Sequence, residues 1–178
     1  MRLPNDELSK LEAASLLRQI PPQYDGLIDF ASNDYLGLSK HSAVKKAYIS
    51  AVEKYGVGST ASRLICGTSA PHRKLEEKLA TAKGTEAALT FATGYATSTG
   101  VIPAIVEKGD TVILDKLCHA SLIDGARMSG ATIRVFPHNH LEKLRKLLES
   151  TAKENNSTRT LVITESIFSM DGDTALLS

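Results

Sequence analysis

Thr111-Val-Ile-Leu-Asp-Lys-Leu-Cys-His-Ala-Ser121 decides the fold class: a four-residue apolar run to Leu114, a short polar stretch, and a helix opening near His119. Working outward, apolar runs recur at Ala87–Phe91, Ile133–Phe136 and Leu161–Thr164. Between these runs lie the helical stretches Tyr95–Val106, Ala120–Ser129 and His140–Ser150, the last with Leu141, Leu144 and Leu148 on one face. Short apolar strands that alternate with helices predict an α/β fold with a mostly parallel sheet covered on both faces. Ligands of such sheets gather at the carboxyl ends of the strands.

Upstream the pattern is looser. Leu8, Leu11 and Leu16 suggest a helix over Asp6–Gln19 stopped by Pro21-Pro22, and Leu27–Ala31 reads as a short strand. Val44, Ala47, Tyr48, Ala51, Val52 and Tyr55 fall on one face of a helix that ends at Gly56. Ser69 is an N-cap signal for a helix over Pro71–Ala82.

The 178 residues carry a net charge of +1 and 42% hydrophobic residues, values of an ordinary globular chain. Interspersed charges leave no basic footprint, so nucleic acid and acidic membrane surfaces are not expected partners. No apolar run reaches membrane-spanning length and the N-terminus lacks a signal-peptide core, so a cytoplasmic location is expected. Cys66 and Cys118 are read as small, partly buried, reduced thiols, and no metal site is expected.

Three strand ends carry candidate chemistry. In Phe91-Ala-Thr-Gly-Tyr-Ala-Thr-Ser-Thr99 a strand gives way to a helix, and Gly94 lets backbone amides approach a ligand. The segment is a phosphate site or a plain strand-to-helix turn. His119 follows the second run, where an imidazole can stack on an aromatic cofactor, exchange protons, or simply cap a helix. Glu165, Ser169 and the Asp171-Gly172 turn follow the last run. These ends converge only if their strands are neighbours. Gly56-Val-Gly-Ser-Thr-Ala-Ser62 follows a helix and lacks the third glycine of a dinucleotide fingerprint.

Taken together and in order, Asp29-Phe-Ala-Ser-Asn-Asp-Tyr-Leu-Gly-Leu38, Gly56–Arg63, Gly67–Glu76, Asp115–Ser121 and Thr164–Asp173 resemble the α-oxoamine synthases. These are fold-type I pyridoxal-phosphate enzymes that condense an amino acid with an acyl thioester and release carbon dioxide. The resemblance implies a three-layer αβα large domain, here truncated, with residues 1–40 as an N-terminal helix and extended arm and residues 41–178 as the first part of the cofactor-binding domain. It implies that Gly94 and Tyr95 hold the cofactor phosphate, that His119 stacks on the pyridine ring, and that Ser169 bonds near the phenolic oxygen. Arg18, Asn33 and His119 are the implied substrate neighbours. Glu165 is read as a supporting residue, and His72 as a helix-packing one.

Within the family, Phe136-Pro-His-Asn139 and Ser169-Met-Asp-Gly-Asp173 lean towards the biotin-pathway branch that joins alanine to a pimeloyl thioester. Ile123-Asp-Gly-Ala-Arg127 leans towards glycine C-acetyltransferase, and a non-catalytic subunit of a dimeric synthase is a further alternative. Family chains are longer, homodimeric, and carry their cofactor lysine in a later glycine-rich segment. No lysine here has a matching context, Lys116 included, so no catalytic residue is expected within this chain and it is expected to be an inactive amino-terminal half.

Overall fold

The computed structural model describes residues 4–20, 22, 26–154 and 159–176. The chain forms two compact units that divide between Gly58 and Ser59. Among the described residues no helix is long and apolar enough to cross a membrane.

The first unit holds α1 (Pro4–Ala13), a 3₁₀ turn at Leu38–Lys40 and α2 (Ser42–Tyr55). α1 stops well short of the expected Gln19. Ser15 takes a left-handed φ of 56°, and the Leu16 N–H folds back to the Leu11 carbonyl at 2.8 Å, a closure that ends the helix. The stop expected at Pro21-Pro22 falls partly outside the described residues, at Pro21. Leu27–Ala31 is not a strand, because the Asp29 carboxylate takes the Ala31 N–H at 2.9 Å and turns the chain locally. α2 forms where its apolar spacing predicts and ends at Gly56, with His41 capping the Ala43 N–H. None of its residues is fully buried.

The second unit contains α3 (Ala70–Lys83), α4 (Gly94–Ile105), β1 (Thr111–Asp115), α5 (Ala120–Met128), β2 (Thr132–Phe136), α6 (Leu141–Glu154) and β3 (Thr160–Ile163). The strands form a parallel sheet in the order β2-β1-β3. Thr111 pairs with Thr132 on one side and Thr160 on the other, and Asp115 closes the ladder opposite Phe136. β1 is central and buried along its whole length, the environment that an unbroken apolar run signals. Val112 and Leu114 pack with Ile102 of α4, Val106 just after it, Cys118 just before α5 and Ala126 of α5. The alternate face of the sheet receives α6. Gly125 lets α5 press against α4, since a Cβ there would lie 2.5 Å from the Ser98 carbonyl oxygen.

Ala87–Phe91 is not a strand. Its backbone groups are taken by side chains instead of a ladder: the Thr90 N–H donates to Glu76 Oε1 at 2.8 Å, and the Thr90 carbonyl accepts from the Arg63 guanidinium at 3.1 Å. Arg63 and Glu76 pair bidentately, at 2.6 and 2.9 Å. That pair, reinforced by the Thr90 amide, draws the Glu76 carboxyl down to about 2. It ties together α3, residue 90 and the π-type turn at Arg63–Gly67.

Candidate functional site

α4 begins at Gly94, with Thr93 as its cap: the Thr93 hydroxyl accepts the Ala96 N–H at 3.0 Å and the Thr93 carbonyl accepts the Thr97 N–H. The N–H groups of Gly94 and Tyr95 have no acceptor among the described residues. A Cβ on Gly94 would meet nothing within 4 Å, so the approach to these two amides is open. Two unpaired amides at the positive end of a twelve-residue helix form a ready seat for an anion.

His119 caps α5, its Nδ1 accepting the Ser121 N–H at 3.1 Å. The same nitrogen lies 2.8 Å from the Ser121 hydroxyl, which lies 3.2 Å from the Ser98 hydroxyl, and Ser98 bonds back to the Gly94 carbonyl. A run of short polar contacts therefore joins the imidazole to the first turn of α4. Because Nδ1 acts as an acceptor, Nε2 carries the ring proton. The His119 backbone N–H donates to Glu165, just past β3, which fixes the start of α5 from the neighbouring strand end. Tyr95 also reaches across to Asp124 of α5, at 3.3 Å.

A second cluster occupies the ends of β1 and β2. His138 Nδ1 meets Asp115 Oδ1 at 2.9 Å and its Nε2 meets Asp173 Oδ2 at 2.7 Å. Asp115 is buried and also accepts the N–H groups of Leu117 and Asn139. Burial pushes its carboxyl up, but these three donors outweigh burial and hold it below the usual carboxylate range. The carboxylates of Asp173 and Asp115 raise His138 above the ordinary imidazole value. Asn139, at a left-handed φ of 54°, adds Nδ2 contacts to Asp173 and to the Thr174 carbonyl. In the sequence this stretch stands out only as a family marker, and its one chemical signal is a histidine shortly after a strand.

The structure places Gly94, Tyr95 and His119 in one connected region. Ser169 is exposed on the turn between Phe168 and Asp173 and makes no hydrogen bond among the described residues. Arg18 and Asn33 lie in the first unit, both exposed and without hydrogen-bond partners among the described residues. His72 is a helix cap, since Ser69 and His72 form a reciprocal capping box. Cys118 is buried against the Ile163 carbonyl, and burial raises its thiol to about 11; Cys66, expected to be partly buried, is exposed.

The sequence model of the family "Aminotransferase class I and II" matches residues 25–178. The chain is 51% identical over 146 residues to 8-amino-7-oxononanoate synthase of Geobacter sulfurreducens, covering 82% of this chain and 37% of that protein. It is 45% identical to the 8-amino-7-oxononanoate synthase of Geotalea daltonii, covering 97% of this chain and 46% of the relative. Among solved structures it resembles a serine palmitoyltransferase from S. paucimobilis with bound PLP-myriocin aldimine, with a TM-score of 0.84 and 31% identity over 97% of this chain and 46% of that one. The chain thus spans less than half the length of these relatives.

Proposed function

This chain belongs to the class I and II aminotransferase family, and on that premise we propose that it is the amino-terminal, cofactor-holding part of an 8-amino-7-oxononanoate synthase. Such an enzyme is an acyltransferase that joins alanine to a pimeloyl thioester with loss of carbon dioxide, a step of biotin formation. The likeness to two synthases of that name at 45% and 51% identity supports the substrate pair. The observation that carries the cofactor assignment is the unpaired amide pair of Gly94 and Tyr95, linked through Ser98 and Ser121 to His119.

These residues fit pyridoxal phosphate by their chemistry. A phosphate dianion needs converging N–H donors, and a helix start with no side chain at its first residue supplies them. When bound, the cofactor supplies an electron sink for the bond changes at the amino acid's α-carbon. The amides of Gly94 and Tyr95 would hold the phosphate, and His119, whose Nδ1 is engaged in the α5 cap, would pack against the cofactor ring. Ser169 offers its hydroxyl near the phenolic oxygen, and Arg18 and Asn33 serve the substrate. We place the enzyme in the cytoplasm as a homodimer.

The test is a product assay on the full-length enzyme of which this chain is proposed to be a part, purified and supplied with pyridoxal phosphate. Alanine with a pimeloyl thioester is compared with glycine and an acetyl thioester, and the amino ketone is identified by mass spectrometry. Product from the first pair is the expected result. Product from the second pair alone overturns the substrate assignment, and failure to bind pyridoxal phosphate overturns the whole reading.

A further inference from the structure

The chain's five histidines divide sharply in their surroundings. His41, His72, His119 and His140 each use Nδ1 to accept a backbone N–H at the start of a helix, from Ala43, Ser69, Ser121 and Lys143. All four accept through Nδ1. His138 accepts no backbone N–H, and each of its ring nitrogens faces a carboxylate.

We infer that His138 is a positioning residue: its imidazole, bridging Asp115 at the end of β1 and Asp173 beyond β3, fixes the turn that carries Ser169. The inference rests on the proposed cofactor role of Ser169 for its function, but not for its structural part. A neutral imidazole has one N–H and one lone pair, so it can satisfy only one of the two carboxylates; the imidazolium donates to both. Asp115 cannot swing away, because it is buried and also holds the Leu117 and Asn139 amides. The movable partner is Asp173.

The turn is gripped at both ends. The Phe168 N–H donates to the Asp173 carbonyl at 2.9 Å and the Gly172 N–H donates to the Phe168 carbonyl at 2.8 Å, which closes the loop around Ser169. Phe168, itself buried, sets its ring edge-on to His138 with centroids 4.4 Å apart. The groups facing the imidazole are thus Asp115 from β1, Asp173 and Phe168 from the turn, and Asn139 from its own loop. No lysine or arginine bonds to any of them among the described residues. Both carboxylates favour the charged ring, and when it loses its proton the Asp173 contact is the one released. The sign follows: the clamp is complete below the imidazole's ordinary range and weakens as pH rises through the raised value of His138.

The experiment is amide hydrogen exchange on the full chain, followed by mass spectrometry of the segment that contains Phe168 and Gly172 and corrected for the intrinsic pH dependence of exchange. It is read from pH 5.5 to 9 beside a pyridoxal-phosphate titration. The parent protein is expected to lose protection in this segment as pH rises. His138→Gln and the more conservative Asp173→Asn are expected to lose on the order of tenfold in protection at low pH, the worth of one charge-assisted hydrogen bond, and to lose the pH dependence. Weakened pyridoxal-phosphate binding in both variants completes the support. Parent-like protection in a folded Asp173→Asn protein overturns the clamp. Lost protection with unchanged cofactor affinity overturns the role for Ser169, and a parent protein that binds no cofactor sinks the proposed function while the exchange result still decides the clamp.

Discussion

Gly125→Ala is the substitution for which the structure makes the sharpest demand. In the middle of a helix, exchanging glycine for alanine ordinarily stabilises by about 1 kcal/mol. At Gly125 the added methyl would stand 2.5 Å from the Ser98 carbonyl oxygen, 3.0 Å from its carbon and 2.9 Å from Ile102 Cδ1. Ile102 can change rotamer, but a helix carbonyl in α4 cannot, so α4 and α5 must separate. Overpacking of this kind costs roughly 1–3 kcal/mol, and with backbone as the obstacle the upper part of that range applies. Net of the propensity gain, the expected loss is about 1–2 kcal/mol, a fall in Tm of roughly 2–8 °C. Separating the helices also stretches the 3.2 Å contact between Ser98 and Ser121, so pyridoxal-phosphate affinity falls as well. Gly100→Ala is the internal control. It lies on the same α4, its methyl meets only Phe91 Cε1 at 3.4 Å, and it should gain about 0.5–1 kcal/mol. Urea and thermal unfolding of the two variants settle the matter. A Gly125→Ala protein as stable as its parent, or two variants shifted in the same direction, refutes the packing argument.

Gly94→Asp places a carboxylate at the first residue of α4, where the helix dipole favours it; thermal stability is expected to hold while pyridoxal-phosphate affinity drops, and unchanged affinity in a cofactor titration would remove Gly94 from the phosphate site. Glu76 is depressed to about 2 in the folded chain, so its contribution to stability is present above its ordinary value of 4.5 and is lost as pH falls towards 2. Glu76→Gln should therefore lower the unfolding midpoint at pH 7 and match the parent near pH 2, and a deficit that persists at pH 2 would contradict the linkage. A thiol-reactive dye at pH 8 should label Cys66 at once and Cys118 only on denaturation, because burial holds the Cys118 thiol at about 11; rapid labelling of both would refute that environment.

The sheet was legible because β1 is covered on both faces, and such a strand must be apolar at every position. Helix starts were legible where a capping side chain stands in the sequence, as at Ser69. The apolar run Ala87–Phe91 has the same local signature as β1, yet pairing depends on what lies beside it, and there the Arg63–Glu76 pair takes the backbone groups of Thr90. The left-handed Ser15 just past the end of α1 left no trace, since a left-handed serine carries no compositional mark of the kind a glycine does. At the candidate site, His119 could be read as a strand-end residue and Gly94 as a helix start, although the strand expected before Gly94 is absent, whereas the serines that connect them lie 23 positions apart and are ordinary by type. His138 carries no signal for the same reason: its partners stand 23 and 35 residues away, and only the fold brings them together.

The strand ends carry as many acidic groups as an anion site should avoid, and their arrangement explains why they do not oppose one. Asp115 is saturated by the amides of Leu117 and Asn139 and by His138. Glu165 takes the His119 amide, and Asp173 takes His138 and Asn139. Asp115 and Glu165 hold loops against the sheet, and Asp173 is held through Oδ2, while its Oδ1 has no hydrogen-bond partner among the described residues. The amides of Gly94 and Tyr95 have no such partner. With these carboxylates engaged by donors and the helix start left open, the first amides of α4 present positive partial charge to an anion although the surrounding loops are acidic in composition. Removing one of those donors should therefore weaken anion binding at α4 without touching the amides themselves. In His138→Gln the Asp115 and Asp173 carboxylates keep their charge and lose its closest counterweight, so inorganic phosphate should bind more weakly at low salt. The deficit should shrink as added salt screens the field. A deficit unchanged by salt would locate the effect in the position of the turn and not in its charge.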